Sequence, residues 1–235
     1  GGGMGAATAA ANLKAILALT AAMASFGCGD TLMKLASTSL PTSELLFIRG
    51  SIITIVALIG ATITGALREL RHVWHRPLAL RVVGDVSSGW FFQSALARLP
   101  YADLTAITQL GPMAITAASA LFLGERVGWR RWTATAVGLI GVLIIIRPGG
   151  ASSNWWALVG IATVLCTALR DLSTRFIDRR APAILIMFLS AGGVTLAALA
   201  VAPFSNWGLP TGLLMLKLAG ASIFSLLGQL GLILA

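Results

Sequence analysis

Apolar runs of membrane-spanning length follow one another from one end of the sequence to the other. Eight can be drawn, over residues 13–34, 43–66, 78–97, 103–123, 129–147, 155–176, 182–202 and 212–235. A helix needs about 20 apolar residues to cross the hydrocarbon core, whereas a barrel strand needs only about 10 alternating ones. The pattern therefore predicts an all-α polytopic membrane protein. Turn residues separate the runs: Pro41, Pro77, Pro100, the Gly124–Gly128 segment, Pro148-Gly149-Gly150, Pro182, and the stretch from Pro203 to Pro210. Most of these loops are only a few residues long, so consecutive helices are expected to pack as antiparallel neighbours.

Composition supports the same picture. Of 235 residues, 57% are hydrophobic and 11% charged, and the mean hydropathy is +0.89. A soluble domain carries roughly a quarter charged residues. A secreted disulfide scaffold, a disordered chain and an ordinary cytosolic enzyme are excluded on that ground. The net charge of +9 comes from loop arginine and implies no nucleic-acid partner; the bilayer is the partner it fits. Arg68, Arg71, Arg76 and Arg81 follow the second run, Arg126, Arg130 and Arg131 the fourth, and Arg175, Arg179 and Arg180 the sixth. These loops share one side, which is then cytoplasmic, and so is the N-terminus. Cys28 and Cys166 lie in apolar runs and read as small buried residues. His72 and His75 share a basic loop without a cysteine or carboxylate cluster, so no metal and no cofactor is implied. Gly1–Gly3 ahead of Met4 reads as a tag remnant.

Two segments repeat. Residues 30–41 read DTLMKLASTSLP and residues 171–182 read DLSTRFIDRRAP. Aspartate, a basic residue four later and proline seven further on recur at an offset of 141, which spans five helices. Five is odd, so a tandem copy enters the membrane from the other side. That is an inverted repeat, an arrangement of secondary transporters with the substrate site between the halves near the midplane. The expected division is a tail over 1–11, a first repeat over 12–149 (helices 1–5) and an incomplete second repeat over 150–235 (helices 6–8). About eight helices of an expected ten are present, and two more are expected beyond Ala235.

The segment YADLTAITQLGPMAITAASALFLGERVGWRRWTATAVGLIGVLIIIRPG (101–149) carries a resemblance. Pro112 in the fourth helix, the small-residue tract after it, the Leu-Gly-Glu turn at 123–125 and the glycine-rich fifth helix are those of the drug/metabolite transporter superfamily. The chain resembles its ten-helix EamA-type bacterial exporters, with Ala95-Leu96 and Phe47-Ile48-Arg49 fitting as well. The resemblance implies a bacterial inner-membrane carrier of amino acids, their derivatives or other small metabolites. Some relatives import vitamins or nucleoside-type metabolites, so a vitamin, nucleoside-type metabolite or organic cation is the alternative cargo. It also implies a structural role for Glu125, capping the fifth helix.

Charged groups inside spans are costly and need a reason. Asp30 sits one turn before Lys34 in the first span. Arg49 lies eight residues past Pro41, or about 12 Å down the second helix. The two could pair, either as a substrate or proton site or as a structural ion pair. Position 190, the repeat mate of Arg49, is serine, which favours a binding role. Asp85 either snorkels towards the loop arginines or joins a proton relay. Asp171 with Arg175 reads as an interfacial pair closing the sixth span, and Glu44 as interfacial. Gln93, Gln109 and Gln229 need partners inside the bundle. Trp90, near mid-span, either packs or stacks on a substrate, and Pro112 should bend the fourth helix. Gly138 and Gly141 give the fifth helix a small-residue face for close packing or a homodimer.

Two rival classes remain open at this level. Gly27-Cys28-Gly29-Asp30 matches the Gly-x-Gly-Asp string of intramembrane aspartyl proteases, whose chemistry needs a second carboxylate sharing a proton. Tyr101 and Asp103 do not supply the expected Tyr-Asp pair. A scaffold protein would have no use for Asp30, Arg49 and Asp85 within spans. The favoured expectation is a carrier using alternating access, with no enzymatic chemistry. Asp30 and Arg49 would hold the charged end of a substrate, Trp90 its side chain, and Gln93 and Gln109 would orient it. Asp30 or Asp85 would couple protons.

Overall fold

A computed structural model describes residues 2–70, 75–124, 128–146, 155–177, 181–208 and 210–234. Each apolar run is helical. The helices are α1 (Gly2–Ala36), α2 (Thr42–Ile63), α3 (Arg76–Arg98), α4 (Tyr101–Thr108), α5 (Gly111–Leu123), α6 (Trp129–Ile146), α7 (Trp155–Thr174), α8 (Ala183–Val201) and α9 (Gly212–Leu234). Short 3-10 turns follow α2 and α8, at Ala66–Glu69 and Ala202–Phe204. No strand occurs among the described residues. Six segments are long and apolar enough to cross a membrane: Leu13–Ala36, Thr42–Ile63, Tyr101–Phe122, Trp155–Thr174, Ala183–Phe204 and Gly212–Gln229. The third predicted span, α3, falls outside that set and carries Arg76, Arg81, Asp85 and Arg98. The fifth offers a shorter apolar stretch, Trp132–Gly141.

Proline sets the boundaries. Pro41, Pro100 and Pro182 precede the first residue of α2, α4 and α8, where their fixed φ fits and no N–H is needed. Pro112 divides the fourth span. It cannot donate to the Thr108 carbonyl, so α4 ends in a tight turn in which Leu110 N donates to Ile107 O at 3.1 Å. The helix resumes with Ala114 N on Leu110 O at 2.8 Å. Gly124 closes α5 at φ +66°, a left-handed conformation that a side chain would strain. That geometry accounts for the glycine of the Leu-Gly-Glu turn. Glu125 lies outside the described residues.

The chain forms two compact units. One comprises residues 1–40 and 207–235, and the other residues 41–206. In the first, α1 packs on α9 through small residues. A side chain at Gly29 would meet Ala221 O at 3.2 Å and Ser225 Oγ at 3.4 Å, and Gly228 lies under the Phe26 ring. In the second unit α2 packs on α8 and α3 on α7, with α4 and α5 also against α7. Here Gly50 faces Thr195, Gly60 faces Ile184, and Gly84 faces the Arg170 backbone.

These three pairings have a common property. Exchanging each predicted span with the one five places along turns the α1/α9 pair into the α7/α3 pair and leaves α2/α8 unchanged. The offset holds at single residues. Thr54 and Thr195 are 141 apart, and their hydroxyls meet at 3.3 Å. Gly29 against Ser225 becomes, on shifting each residue by 141, Arg170 against Gly84, and that is the observed contact. One glycine allows each approach, supplied by α1 in the first unit and by α3 in the second.

Candidate functional site

The best-defined polar constellation lies between α3 and α7. At one end Arg81 Nη1 donates to Thr174 Oγ1. One turn along, Arg170 Nη1 meets Asp85 Oδ1 at 3.3 Å, and Arg170 Nε donates to Asp171 Oδ1 at 2.8 Å. At the other end the Arg98 guanidinium lies 5.3 Å from the Trp156 ring centre, a cation–π distance. These contacts fix an antiparallel register over the 17 residue steps from Arg81 to Arg98, about 25 Å of helix.

Two cations and two anions converge at the Arg81 end, so the group is electrically balanced. The Asp85, Arg170 and Asp171 side chains are a quarter to a third exposed. Asp85 pairs with Arg170 on the facing helix and also interacts with Arg81, one of the arginines to which its position pointed. Arg81, read from the sequence as a loop residue, lies inside α3. Arg170 was missed, although it stands one position before Asp171 in an apolar run. Its signal is the cost of an arginine in a span, and its partner is 85 residues away. Asp171 receives Arg170, a neighbour the sequence reading did not consider beside Arg175.

The helices meet closely here because Gly84 has no side chain. A methyl group at Gly84 would stand 3.0 Å from Arg170 N and 3.1 Å from its Cα. Backbone cannot rotate away, so Gly84→Leu must separate α3 from α7 and stretch the Asp85–Arg170 pair. It should cost about 3 kcal/mol or more, at or above the upper end of overpacking. Loss of a monodisperse peak in detergent gel filtration at 40 °C, where the parent survives, is the expected readout.

The other sequence candidates are distributed over both units. Asp30, half-buried on α1, belongs to the first; Arg49, half-buried on α2, belongs to the second, and each engages other groups. Gln93 is 1% exposed on α3, and neither its Nε2 nor its Oε1 has a partner among the described residues. Trp90, one turn before it, is half-buried. Gln109 and Pro112 are exposed at the break between α4 and α5, away from the buried setting of Gln93. Gln229 is half-buried on α9. Ser190, the repeat mate of Arg49, is 8% exposed with an unpartnered hydroxyl among the described residues.

Of three further expectations, one changes. Glu44 stands in the first turn of α2, at the span end where it is expected, and is 2% exposed. A carboxylate there meets the positive end of the helix dipole. Cys28 is exposed, not buried; an apolar residue on the outer face of a membrane helix faces lipid, so hydropathy does not require burial inside protein. Gly138 of α6 receives the Met113 thioether of α5, the close helix packing expected of that small-residue face.

The profile of the EamA-like transporter family matches residues 13–147. Among curated proteins, the chain is 28% identical over 225 residues to the pseudopaline exporter CntI of Pseudomonas aeruginosa (strain UCBPP-PA14), covering 91% of this chain and 75% of that one. It is 31% identical over 149 residues to a riboflavin transporter of Rhizobium johnstonii, covering 60% of this chain and 47% of that one. It is 26% identical over 192 residues to an S-adenosylmethionine uptake transporter of Rickettsia bellii, covering 80% and 64%. A crystal structure sharing 20% identity superposes with a TM-score of 0.56 over 92% of this chain and 84% of that one. That likeness speaks for the fold alone.

Proposed function

We propose, because the chain belongs to the EamA-like transporter family, that it is a secondary carrier of amino acids or similar small metabolites, working by alternating access in the export direction. It is a small-metabolite transporter and a multi-pass inner-membrane protein, and it is not an enzyme. The protease reading of Gly27-Cys28-Gly29-Asp30 falls with that assignment. Gly29 instead serves the close approach of α1 and α9.

The observation that carries the proposal is the family match across the first five predicted spans. The pairing of helices under the 141-residue exchange supports the division into repeats over 12–149 and 150–235. The cytoplasmic N-terminus rests on the arginine-rich loops. In this reading Arg49 recognises the charged end of the substrate. Trp90 contacts its side chain, and Gln93 and Gln109 orient it. Pro112 supplies a break at which the fourth span can bend. Asp30 or Asp85 would carry a coupled proton, Asp85 only by exchanging its bond to Arg170. A homodimer would use the face of α6 around Gly141, where a side chain would meet nothing within 4 Å. The riboflavin and S-adenosylmethionine relatives favour a second reading, uptake of a vitamin or nucleoside-type metabolite.

Counterflow in proteoliposomes tests the first reading. The protein is loaded against aromatic, aliphatic and charged amino acids, with and without a pH gradient. Saturable exchange of one subset supports an amino-acid carrier, and exchange confined to riboflavin or S-adenosylmethionine supports the second reading. Arg49→Ala should lower exchange at least tenfold, since a bound carboxylate would lose a charge-assisted hydrogen bond. The variant should remain extractable and monodisperse. Aggregation of Arg49→Ala instead would make that arginine a structural residue.

A further inference from the structure

We infer that Gln93 and Trp90 form one recognition surface for a flat, uncharged group that carries a hydrogen-bond donor beside an acceptor, as an amide, lactam or amidine edge does. The inference rests on the proposal that α3 lines the substrate path, and it names a chemical feature of the cargo.

The Gln93 carboxamide is 1% exposed, and both its nitrogen and its oxygen lack partners among the described residues. Burying an amide unpaired costs on the order of 1–3 kcal/mol. Native interiors rarely leave such a group without a reason, and a binding role is one of the few available. Polar neighbours in sequence and register do not relieve it. The register fixed by Asp85–Arg170 and Arg98–Trp156 places Gln93 level with Ala162 of α7. Thr163, beside that position, donates to its own helix at Val159 O, 3.2 Å away. Ser88 donates to Asp85 O at 3.0 Å, within α3. On α4, Thr105 and Thr108 donate to Ala102 O and Thr105 O. Each hydroxyl serves its own helix, which leaves one carboxamide with a free donor edge and a free acceptor edge side by side.

Charge along the α3–α7 seam is also accounted for. The charged residues flanking Gln93 on α3 are Asp85 and Arg98, and these meet Arg170 and Trp156 on α7. The stretch between them is neutral and selects for pairing geometry, not for net charge. Trp90 lies three residues before Gln93, on the same helix face. A group paired edge-on with the carboxamide would extend along α3 to the indole, where a flat ring gains stacking. A glutamine carboxamide pairs with a donor–acceptor edge through two hydrogen bonds at once, as it does with adenine. Methylating the donor of such an edge removes one bond and adds bulk where the site is closed.

The test uses the full chain in detergent and calorimetric binding of three probe pairs: nicotinamide against N,N-dimethylnicotinamide, uracil against 1,3-dimethyluracil, and adenine against 6-dimethylaminopurine. The parent of at least one pair should bind about tenfold tighter than its methylated partner, the value of one lost hydrogen bond in a closed site. Gln93→Leu should reduce that preference to less than twofold while raising the unfolding temperature, because an unpaired amide has been removed. Trp90→Ala should weaken parent and methylated probe alike. No preference in the unaltered protein for any pair, or a preference that survives Gln93→Leu, overturns the inference. If Gln93→Leu does not fold, Gln93→Met takes its place with the same two outcomes. Amino-acid counterflow separates the two levels. Exchange without probe preference overturns this inference and leaves the carrier reading, whereas probe preference without amino-acid exchange does the reverse.

Discussion

Replacing Arg170 by alanine lowers the unfolding temperature of the detergent-solubilised protein by about 4–8 °C. The guanidinium holds two carboxylates. It bonds Asp85 of α3 at 3.3 Å and Asp171 of its own helix at 2.8 Å. Removing it takes away the cation that bonds both carboxylates and leaves Arg81 beside them. Exposed pairs contribute about 0–1 kcal/mol, whereas breaking a buried one costs about 3–5 kcal/mol. These side chains are 25–34% exposed, so about 2 kcal/mol is the reasonable middle. For a chain of this length each kcal/mol shifts the midpoint by about 2–4 °C. Arg170→Lys should recover less than half of the loss, because an ammonium cannot present Nε and Nη1 to two carboxylates at once. Adding Asp85→Asn and Asp171→Asn to Arg170→Ala should restore more, since the unpaired charges are then gone. Thermal unfolding followed by circular dichroism reads all three variants. An Arg170→Ala midpoint within 1 °C of the parent would falsify the cluster as a stabilising element.

The second large effect is at Gly50. A methyl group there would stand 2.6 Å from Thr195 Oγ1, 3.4 Å from Thr195 N and 3.6 Å from Ala191 O. The hydroxyl is the only one of the three that can move, and it is engaged. It donates to Ala191 O at 2.9 Å and touches Thr54 Oγ1 at 3.3 Å. Gly50→Ala therefore either rotates Thr195 away from these partners or pushes α2 from α8, at about 1–3 kcal/mol. Gly50→Leu, which collides with backbone as well, should prevent assembly. The control is Thr195→Ala, which removes the nearest atom. In the double variant Gly50→Ala/Thr195→Ala at least half the loss should return, a coupling expected only for residues in contact. Strict additivity in unfolding midpoints would show that the strain lies elsewhere.

The helical layout could be read almost completely from hydropathy and proline. Apart from α1, which begins at Gly2 and not near residue 13, the apolar runs match the helical ends to within a few residues, because a span must be apolar all round and its ends are marked by residues that cannot continue it. The one internal error of continuity, at Gln109–Leu110, was foreshadowed by Pro112. The offset of 141 residues was visible as a short match at Asp30 and Asp171, and it places Thr54 beside Thr195. The site was less legible. Arg170 meets Asp85 across 85 residues of chain, and no local pattern announces a pairing between helices. The cysteine at 28 misled because hydropathy reports the environment's polarity and does not separate lipid from protein. Gln93 was singled out as a polar residue in a span, but its lack of partners is a property of the packed helices. The enclosure of Glu44 at its span end is likewise a property of the packed helices.

The contact between Thr54 and Thr195 has a consequence for how such a chain arises. Two residues related by the repeat touch one another, so in a molecule made of two identical half-length chains this would be one threonine meeting its own copy. Such a self-contact is the signature of an isologous interface. A half-length peptide able to insert in both orientations would already possess it before any gene fusion. Away from such a self-contact the two copies can carry different residues, as Arg49 and Ser190 do. The position on the symmetry axis constrains both copies at once, because a change in one must be answered by the other across 3.3 Å.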